Sequence, residues 1–128
     1  MLILVQEKKQ VKALAKKSQQ AVIEQETQRT ERVRAALAKI ELVCSGTLTT
    51  RTMTCGKPTC RCHDDPDARH GPYHQWGHMK GAKLVHRYVS DLQAVALRQA
   101  IRNYREVKKL LLTWENSTER LIDAKYPR

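Results

Sequence analysis

Residues 55–73 read Cys-Gly-Lys-Pro-Thr-Cys-Arg-Cys-His-Asp-Asp-Pro-Asp-Ala-Arg-His-Gly-Pro-Tyr. This segment holds three of the four cysteines, and all five histidines lie between positions 63 and 86. It also contains three prolines and two glycines, whereas residues 1–45 and 91–125 contain neither. The pattern predicts a turn-rich centre between two long helices. Because thiols and imidazoles are the side chains that hold transition metals, this centre is a candidate metal site.

The spacing within the segment favours a structural zinc ion. Four residues, including a glycine and a proline that set a bend, separate Cys55 from Cys60, and Cys62 follows two positions later. His70 is the first choice for the fourth ligand; His63 is the second, because its position beside Cys62 would need a strained chelate. Four protein ligands leave no position open for water, which favours a structural over a catalytic ion. Packed or redox-active thiols are the alternative.

The chain before the segment has the composition of a long exposed helix. Residues 1–45 are rich in Lys, Gln, Glu and Ala, with an apolar seam only near the end, at Val33, Leu37, Ile40 and Cys44. We expect residues 1–45 to form a helical, coiled-coil-like arm, and residues 46–128 to form a second domain that combines the zinc loop with a sheet and a helix.

The second domain is predicted to be a small antiparallel sheet followed by a helix. Residues 47–54, 73–78 and 83–89 are the candidate strands. Ser90 and Gln93 have the spacing of a capping box at the start of a helix. An apolar stripe from Leu97 to Leu121 in this helix needs a partner, which could be the first helix, the sheet or a second copy of the chain. The fold class is therefore α+β, with a three-stranded sheet between two long helices.

The charge of the chain favours a polyanionic partner. The net charge is +11 and is spread along the whole chain. Basic residues that could contact phosphates are interleaved around the segment with aromatic residues that could stack on unpaired bases. The candidate nucleic-acid-binding residues are Lys57, Arg61, Arg69, Tyr73, Trp76, Lys80, Lys83 and Arg87, with Tyr88 among the interleaved aromatics. The alternative is a solvated basic surface that maintains solubility.

The apolar run at the start, Met1-Leu-Ile-Leu-Val5, is too short for a signal peptide or a membrane span. We therefore expect a cytoplasmic protein with no membrane partner. In a reducing compartment, clustered cysteines are more often metal ligands than disulfides. No small-molecule substrate is expected.

The sequence resembles a group of small, uncharacterised bacterial and archaeal proteins. The resemblance rests on Cys-Gly-Lys-Pro-Thr-Cys-Arg-Cys, His-Gly-Pro-Tyr and Gly-Ala-Lys-Leu-Val-His-Arg-Tyr-Val, and on Asn-Tyr-Arg in the following helix. These proteins are classed as a domain of unknown function and are often found among mobile-element genes. The resemblance covers residues 46–120 and leaves the first forty residues uncovered. It implies the signature positions Cys55, Gly56, Lys57, Pro58, Cys60, Cys62, His70, Gly71, Pro72 and Tyr73, with Lys83, Arg87 and Tyr88, and so favours His70 over His63. It implies no activity.

Three functions are consistent with these features. The first is a basic nucleic-acid-binding accessory protein of a mobile element, with a structural zinc site. The second is a homo-oligomeric interaction or adaptor protein that docks on a larger partner through its long helices. The third is an enzyme, either a metal-dependent nuclease that uses His63, Asp64 and Asp65 or a thiol enzyme. It is the least favoured, because the residues suggest no set of nucleophile, base and orienting group.

Overall fold

The computed structural model describes residues 2–128 and has the predicted α+β architecture. Helix α1 spans Leu2–Ala38 and helix α2 spans Asp91–Lys125. Between them lie strands β1 (Thr47–Met53), β2 (His70–Lys80) and β3 (Lys83–Val89), with two short 3-10 turns at Arg61–His63 and Pro66–Ala68. Over residues 2–128, neither helix has a stretch apolar and long enough to span a bilayer.

The chain forms two compact units. One contains the N-terminal residues up to Ile40 together with Glu106–Arg128, and the other is Glu41–Arg105. The second half of α2 therefore groups with α1, and its first half groups with the sheet. The boundaries of these compact units lie near Ile40 and within α2; the division into domains at residue 45 stays a prediction.

Helix α1 ends earlier than the sequence predicted. The expected seam ran to Cys44, but α1 stops at Ala38 and residues 41–45 have no regular secondary structure. Their backbone finds other partners: Cys44 N–H donates to the Ala100 carbonyl at 3.2 Å, and the Leu42 carbonyl accepts from the Asn103 side chain at 2.8 Å. Satisfying these backbone groups on α2 replaces the hydrogen bonds that a longer helix would make.

The sheet has the order β1-β2-β3 and is antiparallel throughout. The register pairs Met53 with His70 at one end, next to a bulge between Arg51 and Met53. Along β2, His74 and Trp76 are buried, whereas Tyr73 and Met79 are exposed. Successive side chains of a strand point to opposite faces. One face of the sheet is therefore covered and the other, the open face, lies in solvent.

The sheet unit has a small core, in which the Trp76 indole N–H has a hydrogen-bond partner and His78 Nδ1 has none among residues 2–128. Its other buried residues are Cys62 in the loop and Ala94, Ala100 and Ile101 of α2. The indole N–H of Trp76 donates to the Ser45 carbonyl at 3.0 Å. Ser90 and Gln93 form the predicted reciprocal capping box, with distances of 3.0 and 3.2 Å.

The helical unit is an antiparallel pair with a polar seam. The Gln19 side chain donates to the Ala124 carbonyl, and Glu26 forms an ion pair with Arg120 at 3.5 Å, so rising numbers in α1 meet falling numbers in α2. Glu26 is only 3% exposed and Ser117 is fully buried. Ser117 Oγ has no hydrogen-bond partner in the described part of the chain, whereas Glu26 is paired with Arg29 and Arg120. The buried Glu26 penalises other registers, because a shift would leave it without these partners.

Candidate functional site

The loop between β1 and β2 gathers four potential metal ligands. Cys55 follows the end of β1 by two residues, and His70 is the first residue of β2. The pairing of Met53 with His70 brings these two ends together. The first 3-10 turn carries Cys62 and begins directly after Cys60, so the loop folds back on itself. Local turns and one strand pairing therefore place all four side chains at one end of the sheet.

The four ligand atoms lie close enough together to hold one metal ion. The sulfurs of Cys55, Cys60 and Cys62 and a ring nitrogen of His70 all lie within 4.8 Å of one another. Cys55 Sγ and Cys62 Sγ are 3.7 Å apart, and Cys60 Sγ lies 3.4 Å from His70 Nε2. Zinc–sulfur and zinc–nitrogen bonds of about 2.3 and 2.0 Å give ligand separations of roughly 3.8 and 3.6 Å in a tetrahedron. The donor set and its geometry therefore fit a metal ion.

The surroundings of the cluster already favour thiolate at Cys60. Hydrogen bonds from the Cys62 backbone and from His70 lower the pKa of Cys60 from 9.0 to about 6. The Cys55 backbone N–H donates to Cys62 Sγ at 3.3 Å, which lowers the pKa of Cys62, but burial and the neighbouring thiols outweigh this and raise it. Cys62 is 1% exposed. The surroundings thus favour the thiolate at Cys60 and disfavour it at Cys62. A bound cation would stabilise all three thiolates at once.

The structure places His70, and not His63, in the ligand set. His63 Nε2 instead donates to the Lys57 carbonyl at 2.9 Å. The carboxylate of Asp65 accepts from the Asp67 N–H at 3.0 Å and pairs with Arg61 at 3.2 Å. Two of the three residues considered for nuclease chemistry therefore hold the loop in shape.

The predicted nucleic-acid-binding residues lie in three places. Lys57, Arg61 and Arg69 are exposed in the loop, and Tyr73 lies on the open face. The remaining candidates, Trp76, Lys80, Lys83 and Arg87, belong by strand alternation to the covered face and its edge.

Trp76 is packed on the covered face, which leaves little of it accessible for the predicted base stacking. Its ring is 9% exposed and stacks on His78 at 3.5 Å with an interplanar angle of 9°. The guanidinium of Arg87 lies 5.3 Å from the centre of the same ring. The side chains of His78 and Arg87 therefore pack against Trp76 on the covered face. The sequence carried no signal for this, because burial depends on which strand face α2 covers.

The open face carries an aromatic pair beside a basic cleft. Tyr73 and Tyr88 are 40% and 57% exposed, and their rings meet edge to face with centres 6.1 Å apart. Arg51 is paired with Tyr73 across the strands. A cleft of about 440 Å³ is lined by Arg51, Thr52, Met53, Thr54 and Arg69. Arg51 was absent from the sequence prediction, because only the register places it beside Tyr73.

A hydrogen-bonded relay crosses the sheet unit away from the metal cluster. His74 Nε2 donates to the Asp91 carboxylate at 2.7 Å, and Nδ1 is hydrogen-bonded to the Thr50 hydroxyl, also at 2.7 Å. Arg98 donates to the same hydroxyl at 3.3 Å. The relay connects β1, β2 and α2. The sequence indicated neither of these contacts of His74, because its two partners are 24 and 17 positions away.

Comparison with known proteins gives a family but no activity. Residues 6–99 match the model of the domain of unknown function DUF6788, and the chain belongs to this family. The match begins within α1 and ends within α2. It therefore includes most of the first forty residues, which the resemblance of the central motif had left out. Searches of the curated proteins and of the solved structures found no match.

Proposed function

We propose that this member of the DUF6788 family is a zinc-stapled accessory protein that binds single-stranded nucleic acid on its open sheet face. The observation that carries the proposal is the exposed tyrosine pair beside a cleft with two arginines. In line with the resemblance of the central motif, the setting would be a mobile element. The nucleic acid would then be that of the element itself.

Zinc is the ion that best suits the cluster. Three thiolates and one imidazole form a common structural zinc set, and the four ligands leave no position for a substrate or water. The ion would supply structure only, by joining the end of β1 to the start of β2. Arg69 precedes the ligand His70 directly, and Arg51 lies across the strands from Tyr73. The residues of the cluster would thus fix both sides of the cleft.

The open face supplies the two contacts that an unpaired strand needs. Bases stack on exposed aromatic rings, with about 1–3 kcal/mol lost per base when the ring is removed. Phosphates between the bases require positive charge within reach, which Arg51 and Arg69 provide. A rigid duplex hides the faces of its bases, so it could use the arginines but not the tyrosines. Single strands should therefore bind more tightly than duplex of the same length.

The test is fluorescence anisotropy with a labelled single-stranded DNA or RNA at graded salt. Tyr73→Ala and Tyr88→Ala should each weaken binding by about 5–100-fold. Tyr126→Ala is the matched control, since Tyr126 is 73% exposed and lies beyond α2. Replacing Arg51 and Arg69 with glutamine should reduce the salt slope by about 0.7 per lost contact. Wild-type affinity in both tyrosine variants would overturn the proposed surface.

A further inference from the structure

The first half of α1 extends beyond its partner helix. The contact between Gln19 and Ala124 lies one residue from the end of α2 at Lys125. Residues 2–18 are all exposed, including Leu4 at 61%, Val11 at 65% and Leu14 at 64%. At 1.5 Å per residue this segment, which we call the arm, is about 25 Å long.

The arm has an apolar side and a basic side. Leu4, Val11 and Leu14 follow the seven- and three-residue spacings that place side chains on one side of a helix, and Glu7 lies on the same side. The arm contains five lysines, at positions 8, 9, 12, 16 and 17, against the single acidic residue Glu7. Two such arms would repel each other if they paired side by side. Because lysines flank the apolar side of the arm, it matches a partner surface that is apolar at its centre and acidic at its edge.

Helix α2 offers a surface of that kind in the same unit. Leu111, Trp114, Glu115 and Thr118 line an apolar groove of about 340 Å³. Ile122, 51% exposed, extends the stripe. The lining residues span about 10 Å of α2, and Ile122 lies one turn beyond them. The groove includes part of the predicted Leu97-to-Leu121 stripe. It is open to solvent because α2 buries the side that carries Ser117 against α1.

The rim of the groove carries two acidic residues. Glu115 lines the groove, and Glu119 follows one helical turn later. We propose that the arm of one copy packs into the α2 groove of a second copy, and that the exchange is reciprocal in a two-fold dimer. Trp114 is the apolar anchor, and the lysines of the arm face the two glutamates. A closed pair uses both arms and both grooves, so it does not extend into a chain.

Charge reversal on the full-length protein tests the pairing directly. One variant carries Glu115→Lys and Glu119→Lys; the other carries Lys8→Glu and Lys12→Glu. Each alone should have a dimer dissociation constant raised by about 10–100-fold, because like charges meet at both contacts. An equimolar mixture should recover the dimer, because each heterodimer contact again pairs lysine with glutamate. Sedimentation velocity over a concentration series measures all three.

Apolar variants identify the surface independently of charge. Trp114→Ala should raise the dissociation constant by about 30-fold or more, as for a buried aromatic anchor. Leu92→Ala is the control, because Leu92 is 83% exposed but lies in the sheet unit. The proposal is overturned by a wild-type protein that stays monomeric at every concentration, or by a dimer that neither Trp114→Ala nor charge reversal weakens. None of these positions lies on the open sheet face. The dimerisation test is therefore independent of the anisotropy test of nucleic-acid binding.

Discussion

Replacing Cys62 with serine removes one ligand from the centre of the metal cluster. Cys62 is 1% exposed and its sulfur lies 3.7 Å from that of Cys55. A serine hydroxyl is a poor zinc ligand at neutral pH. Structural zinc sites contribute about 10–16 kcal/mol in total, or roughly 3–4 kcal/mol for each of four ligands. We therefore expect the zinc affinity to fall by about 100–1,000-fold.

This loss converts into a large change in thermal stability. Free zinc at 100 times the dissociation constant stabilises the native state by about 2.7 kcal/mol. The sheet unit, Glu41–Arg105, has about 65 residues, and domains of this size shift by about 4–8 °C per kcal/mol. At the same zinc concentration the variant keeps almost none of this gain. Its melting temperature should therefore fall by about 10–20 °C.

The two tryptophans allow the effect to be assigned to one unit. Trp76 lies in the sheet unit and Trp114 in the helical unit. In a Trp114→Phe background, fluorescence reports the environment of Trp76 alone during heating. Cys44→Ser is the control, because Cys44 is half-buried but outside the cluster. Equal zinc content and equal melting temperatures in the Cys62→Ser and Cys44→Ser proteins would refute the structural role of the cluster.

Three further substitutions test the fold around the site by urea denaturation. Gly46→Ala should lower the free energy of unfolding by more than about 2 kcal/mol, because φ is +113° and a Cβ would lie 2.3 Å from a carbonyl oxygen of β2. Gly81→Ala, in open space at φ +65°, should lower it by about 1 kcal/mol. Equal losses in the two variants would contradict this. His74→Leu should cost about 1–3 kcal/mol through two lost hydrogen bonds, and Asp91→Asn, which keeps an acceptor, should cost less. Ser90→Ala should cost about 1 kcal/mol, and no loss would mean that the capping box contributes nothing.

The sequence predicted those features that depend on local spacing. The cysteines and His70 are separated by short turns, so their convergence follows from few torsions, and the structure brings all four together. The capping box at Ser90 is equally local and is confirmed. The two helices were predicted from segments without glycine or proline, and the three strands from the turn-rich segment between them. The ring of His63 is bonded to the Lys57 carbonyl, whereas the ring of His70 lies with the three cysteines.

Features that depend on strand register could not be predicted in the same way. A shift of one residue in β1 would move Arg51 to the other face, so its place beside Tyr73 is a property of the pairing. Trp76 and Tyr73 are three positions apart and both aromatic, yet one is packed and the other is open. The end of α1 at Ala38 likewise depended on partners more than fifty residues away, at Ala100 and Asn103.

The metal cluster and the open face share one structural cause. Met53 pairs with His70 beyond a bulge, so the strands that carry Arg51 and Tyr73 are held in register at the end where the ligands lie. Without a closed loop, this end of the sheet would rest on a short edge strand with few buried residues, and a slip of one position would separate Arg51 from Tyr73. A core this small gains more from a metal staple than a large one would. The four ligands therefore lie at the end of the sheet where a shift in strand register would most disrupt the proposed binding face.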